Sequence, residues 1–137
     1  MIKKTLVDIE VKGLKVLVRV DFNVPMESGS IVDDSRITSS LETIQYLIGQ
    51  GARVILCSHM GRPDGKVVDS LSLRPVAEHL SHLLGRNVLF VEDCIGEEVS
   101  KAVDQLRQGE VLLLENLRFY PEEEMNDAAF ASSLSSV

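Results

Sequence analysis

The chain has 137 residues and a formal charge of -7, and its 45% hydrophobic and 26% charged residues are ordinary globular proportions, enough for one modest domain. That acidic balance disfavours bulk nucleic acid or an anionic membrane as partner, so any anionic ligand needs a locally basic pocket. Cys57 and Cys94 fit no CxxC or Cys/His metal pattern, and no stretch approaches the roughly 18 apolar residues of a membrane span, so a soluble, reduced, cytoplasmic protein is expected.

After a mixed opening punctuated by Lys12-Gly13, the spacing predicts a first strand over Lys15 to Asp21. Val16, Leu17, Val18 and Val20 leave only Arg19 polar in its middle, which predicts burial on both faces. The run ends in Asp21, Phe22, Asn23 and a proline turn, and the loop to Asp33 carries Ser28-Gly29-Ser30 as a tight turn. Asp33, Asp34 and Ser35 start a helix whose apolar face is Ile37, Leu41, Ile44, Leu47 and Ile48. Arg53 to Ser58 reads as a second strand, running straight into His59, Met60, Gly61 and Arg62.

Ser72 is the expected cap of the next helix, with Pro75 in its first turn and Leu73, Val76, Ala77, Leu80, Leu83 and Leu84 inward before Gly85. A third strand follows at Asn87 to Val91, a helix at Glu97 to Leu106 with Val99, Val103 and Leu106 inward, and a fourth strand at Val111 to Leu114. A last helical pattern from Asp127 runs into Val137, so the chain is expected to be part of a longer polypeptide. Strands alternating with helices predict parallel βαβ units with helices on both faces of the sheet. The loops DFN, HMGR and ENLR then open on one edge, where α/β sheets bind ligands.

Arg36, Arg62 and Arg118 all fall on that edge, and three converging arginines in an acidic chain read as an anion site, with His59 as a further donor. Gly61 to Lys66 fails as a phosphate loop: the glycine spacing is one residue short, and Val67 stands where Ser or Thr should be. No GxGxxG follows a strand, which weakens a dinucleotide-binding reductase reading. His79 and His82 lack further ligands for a metal, Glu122 to Glu124 read as a solvated face near a helix start, and Cys57 reads as a small hydrophobe. Arg19 is expected to pair with Asp21, two residues along the same strand face. No Ser/His/Asp arrangement is supported.

Taken together, VRVDFNVP at Val18 to Pro25, DDSRI at Asp33 to Ile37, SHMGRP at Ser58 to Pro63 and LLLENLRFYPEEE at Leu112 to Glu124 resemble phosphoglycerate kinase. The resemblance runs in order through essentially the whole chain and covers about the first third of a family polypeptide. It implies a three-layer α/β/α, Rossmann-like parallel sheet, incomplete at its carboxyl end, with residues 1–137 as a truncated 3-phosphoglycerate-binding domain and the nucleotide domain absent. The implied reaction moves a phosphoryl group between 1,3-bisphosphoglycerate and ADP, giving 3-phosphoglycerate and ATP in glycolysis.

Carried over by motif, Asp21 and Asn23 would meet the hydroxyl and carboxylate side of the triose, while His59, Arg62 and Arg118 would hold its phosphate. Arg36 would lie nearest the transferring group as the catalytic residue, and Phe22, Met60 and Gly61 complete the implied substrate set. Mg-ATP or Mg-ADP would be bound by the absent domain, with no cofactor or protein metal site expected here. The complete enzyme is expected to be monomeric and the 137-residue chain inactive alone. With its next strand missing, the first strand should have a bare edge and favour self-association. The alternative is a stand-alone, non-enzymatic anion-binding module on the same fold.

Overall fold

A computed structural model of the chain describes residues 3–137. Its centre is a four-stranded parallel sheet of β1 (Lys15–Arg19), β4 (Arg53–Cys57), β6 (Val111–Leu114) and β5 (Val88–Val91), in that spatial order. A small antiparallel hairpin, β2 (Met26–Glu27) and β3 (Ser30–Ile31), turns through Ser28 and Gly29, both with positive φ. The turn was legible in Ser28-Gly29-Ser30; the two-residue strands flanking it are too short to show as alternation.

The helices are α1 (Ser35–Gly49), α2 (Arg74–Leu84), α3 (Glu97–Asp104), α4 (Pro121–Glu124) and α5 (Ala128–Ser135). They lie over two separate cores. Val54, Leu56, Val111 and Leu113 pack with Ile37, Ile44 and Leu47 of α1 and Val76, Ala77 and Leu80 of α2. The alternate residues Ile55, Cys57, Leu112 and Leu114 pack with Val99 and Val103 of α3 and Phe130 of α5. A strand's side chains point alternately to its two faces, so this division makes three layers, helix on sheet on helix. The expected α/β/α class is what the chain adopts.

Only the two inner strands read as continuous buried runs; β6 is buried at every position. β1 departs from the expected two-sided burial. Val16, Val18 and Val20 pack against the first core, whereas Lys15, Leu17 and Arg19 on the other face are exposed. The reason is position: among the described residues β1 pairs with β4 alone, so it is an edge strand, and the second core lies under β4 and β6.

Local chemistry sets the helix ends. At the start of α2, Ser72 lies one residue outside the boundary residue Leu73; its hydroxyl accepts from the Arg74 N–H and donates to Glu115. The Asp33 carboxylate, not that of Asp34, accepts the Ser35 N–H at α1, a bond that with the Ser35 hydroxyl holds the Asp33 carboxyl below its usual range. Asp34 instead meets His79 Nε2 at 2.8 Å, tying α2 to the start of α1. Among the described residues there is no group of three His, Cys, Asp or Glu side chains arranged for a metal, and no helix long and apolar enough to cross a membrane.

Candidate functional site

Because β1, β4 and β6 are parallel neighbours, the segments that follow them emerge together. Three side chains stitch those segments into one surface. The Ser58 hydroxyl accepts the Phe22 N–H at 3.0 Å, while its backbone carbonyl accepts the Leu117 N–H at 3.0 Å. The Asn23 side-chain oxygen accepts the Gly61 N–H at 2.9 Å. Asn116, fully buried, accepts from Met60 N–H and Arg118 N–H and donates to the carbonyls of Met60 and Leu71. Buried backbone groups need partners, and here those partners cross from one loop to the next.

The expected site residues take distinct places on this frame. Arg36, in the first turn of α1, donates one terminal nitrogen to the Asn23 carbonyl and lies 3.5 Å from Asp21 Oδ1. Asp21 in turn accepts the Asn23 N–H at 3.1 Å, so Asp21, Asn23 and Arg36 form one cluster at the start of a helix. That end of α1 carries unsatisfied N–H groups and the positive end of the helix dipole, which favours an anion. His59 is half-buried beside Arg118, Arg19, Asp21 and Glu123; burial, and then the charge of Arg118, holds its imidazole below the usual histidine range. Arg62 is exposed and makes no ion pair among the described residues.

Phe22 and Met60 come to the site differently. Their side chains are 0% and 1% exposed and belong to the first core, and their N–H groups are already held by Ser58 and Asn116. They form the floor beneath the polar residues. Gly61 has a φ of +64°, which favours glycine, and a methyl group there would lie 2.7 Å from Leu71 Cδ2, so a side chain would meet backbone strain and also displace the end of Leu71.

Arg19 is the main revision. Instead of pairing with Asp21, it reaches Glu123 Oε1 at 2.6 Å, and Arg118 Nε meets Glu123 Oε2 at 2.8 Å. Of the acidic run expected to be solvated, the Glu123 side chain is only 8% exposed. Burial alone would raise its carboxyl, but the hydrogen bonds and charges of the two arginines outweigh that and hold it below the usual range. Arg118's terminal nitrogens have no partner among the described residues. Asp21 was the only acid visible near Arg19 in sequence; Glu123 lies 104 residues away and no local signal points to it.

Glu115 was also unforeseen. It is 8% exposed and takes the Leu73 N–H at 2.8 Å and the Ser72 hydroxyl at 2.6 Å, so it caps α2 from the end of β6. Cavities of about 410 and 200 Å³ lie near it, between Val67, Glu92 and Phe119; the larger is lined by Arg74, and neither includes Arg36, Arg62 or Arg118. The basic residues instead make an open surface. Cys57 and Cys94 are buried, their thiols pushed up to about 11 and about 12 chiefly by burial, consistent with apolar packing.

Comparison with known proteins places the sequence and the fold in a family. The family model for phosphoglycerate kinase matches residues 6–137. Phosphoglycerate kinase from Moorella thermoacetica is 58% identical over 137 residues, all of this chain but 35% of the relative's length. That from Pelotomaculum thermopropionicum is 57% identical across 98% of this chain and 34% of its own length. The crystal structure of phosphoglycerate kinase from Pyrococcus horikoshii superposes with a TM-score of 0.86 at 37% identity, covering 96% of this chain and 34% of that one. The chain thus spans about a third of the length of these relatives, and it belongs to the phosphoglycerate kinase family.

Proposed function

We propose that this chain is the triose-binding part of a cytoplasmic phosphoglycerate kinase, which transfers a phosphoryl group between 1,3-bisphosphoglycerate and ADP to give 3-phosphoglycerate and ATP. The observation that carries the reading is the joining of Asp21, Asn23 and Arg36 to the His59, Arg62 and Arg118 loops along one sheet edge. 3-Phosphoglycerate has a carboxylate and a phosphate of about -1.5 to -2 charge, so a cationic surface in an acidic chain matches it. His59, Arg62 and Arg118 would take the phosphate, and Asp21 and Asn23 the hydroxyl and carboxylate side.

The acceptor in the ATP-consuming direction is a carboxylate already ionised at neutral pH, so no general base is needed. What this chain contributes is position and charge. Arg36 has one nitrogen on the Asn23 carbonyl and others with no partner among the described residues, and it would meet charge growing on the transferring oxygens. The nucleotide does not suit the segment from Gly61 to Lys66. There the first glycine's N–H is already taken by the Asn23 side chain, the glycine spacing is one residue short, and Val67 stands where a hydroxyl residue should be. Mg-ATP or Mg-ADP is assigned to a domain outside this chain.

Calorimetric titration of the chain with 3-phosphoglycerate, inorganic phosphate, ATP and NAD, each alone, tests the proposal. Binding of the triose without ATP is expected. Binding of inorganic phosphate but not the triose would turn the reading toward a stand-alone anion module, and dinucleotide binding toward a reductase domain.

A further inference from the structure

We infer that Glu123 is a positioning residue of the anion site: its buried carboxylate, gripped by Arg19 and Arg118, holds the Arg118 guanidinium with its terminal nitrogens toward the phosphate of a bound ligand. The inference relies on the triose reading above for which phosphate that is.

Depth decides between this role and the opposite one, in which Glu123 merely fills the place of an absent anion. A substitute anion would sit on the solvent side and take the terminal nitrogens of Arg118; the terminal nitrogen that Glu123 does take, at Oε1, belongs to Arg19. Glu123 is the most deeply placed of the three groups: its side chain is 8% exposed, against 27% for Arg118 and 54% for Arg19. It takes Arg118 at Nε, 2.8 Å away, with Glu124 Oε1 a further 3.5 Å neighbour of the same nitrogen. A guanidinium held from behind at Nε still presents its end-on pair of N–H groups, the fork that matches two phosphate oxygens.

Arg19 completes the arrangement. A buried carboxylate with one partner carries an uncompensated desolvation cost, and a second guanidinium at 2.6 Å offsets it. The backbone beneath Glu123 is constrained as well, since Pro121 opens the short helix α4 and packs on Gly65. Glu123 therefore sits on a fixed turn, between two cations, behind an arginine whose terminal nitrogens have no partner among the described residues.

The test turns on the sign of an affinity change. By charge alone, Glu123→Gln removes a negative group beside an anion site and should tighten binding. Positioning demands the reverse. Calorimetric titration of the 137-residue chain with 3-phosphoglycerate and, separately, with inorganic phosphate should show both affinities falling on the order of 10-fold in Glu123→Gln, as when an outer partner that orients a ligand group is lost. Glu123→Asp, which keeps the charge but shortens the reach, should lose affinity too, and it carries the comparison if the glutamine variant does not fold.

Thermal melts of each variant separate a general loss of folding from a loss confined to the site. A folded Glu123→Gln chain that binds both anions as well as or better than wild type overturns the inference and leaves the triose reading intact. Wild-type binding of phosphate but not triose, weakened in the variant, does the converse. Binding of neither anion by the wild type overturns both.

Discussion

Arg36 and His59 carry the sharpest consequences at the scale of single residues. Arg36 has a nitrogen fixed on the Asn23 carbonyl, so its planar head is oriented before any ligand arrives. In a complete enzyme containing this chain, Arg36→Lys should lower the turnover number on the order of 100-fold while triose affinity moves only a few-fold, because a point charge cannot follow the spread of charge in the transition state. Steady-state kinetics with separate triose binding checks this, and unchanged turnover removes Arg36 from the catalytic role. His59 titrates below the ordinary histidine value, from burial first and the Arg118 charge second. The unfolded chain thus takes up a proton at higher pH than the folded one. The native state is penalised as pH falls through about 6.5. An NMR titration should place the His59 midpoint below 6.5, and Arg118→Gln should raise it; a midpoint at or above 6.5 refutes the assignment.

At the scale of elements, most of the architecture could be read from apolar spacing, and the contacts between loops could not. Ile37, Ile44 and Leu47 recur at helical intervals and are buried as that recurrence requires; Val111 to Leu114 is a fully apolar run and is a central strand. These signals are local, since each element advertises the face it buries. The partners of Arg19, Ser58, Glu115 and Asn116 depend instead on which loops the sheet brings side by side, and composition holds no record of that. Ser72 shows the same limit: a good cap by type, it shares its hydroxyl between Arg74 and a carboxylate on another element. Gly65 joins the second and third loops by close approach to Pro121. With a φ of +72° and a would-be Cβ 2.8 Å from Pro121 Cβ and 3.1 Å from its Cα, Gly65→Ala has no room, because a proline ring cannot swing aside. Gly85→Ala, at φ +65° with nothing within 4 Å, meets only the backbone penalty of about 1–2 kcal/mol. Urea unfolding should rank Gly65→Ala clearly below Gly85→Ala in stability; equal losses would mean the contact yields freely.

For the molecule as a whole, the exposed outer face and free side of β1 are the main liability. Leu17 is 37% exposed, and the strand's second line of backbone groups has no neighbouring strand among the described residues. Lys15, held by Asp104 at 3.3 Å, and Arg19 are charges of the kind that blunt such edges, yet an apolar residue stands between them. The 137-residue chain should therefore self-associate, its sedimentation coefficient rising with concentration, and Leu17→Lys should shift it toward monomer. A wild-type chain that stays monomeric across the range refutes this. The family resemblance implied the bare edge while the apolar run predicted two-sided burial, and the two expectations conflict, since a strand without a neighbour on one side also lacks part of the cover over its face.

The spatial order of the strands also bears on how the chain is made. β6 lies between β4 and β5, with Val54 and Val88 both opposite Val111, although it is the last of the four to leave the ribosome. Cotranslational assembly cannot proceed by adding strands outward from a finished edge. Until residues 111–114 emerge, Val54, Ile55 and Leu56 have a partner on one flank only, and β5 has none. Nascent chains stalled before that point should be open to proteases and chaperones, and a single tetrapeptide, Val111-Leu112-Leu113-Leu114, then closes both halves of the sheet at once.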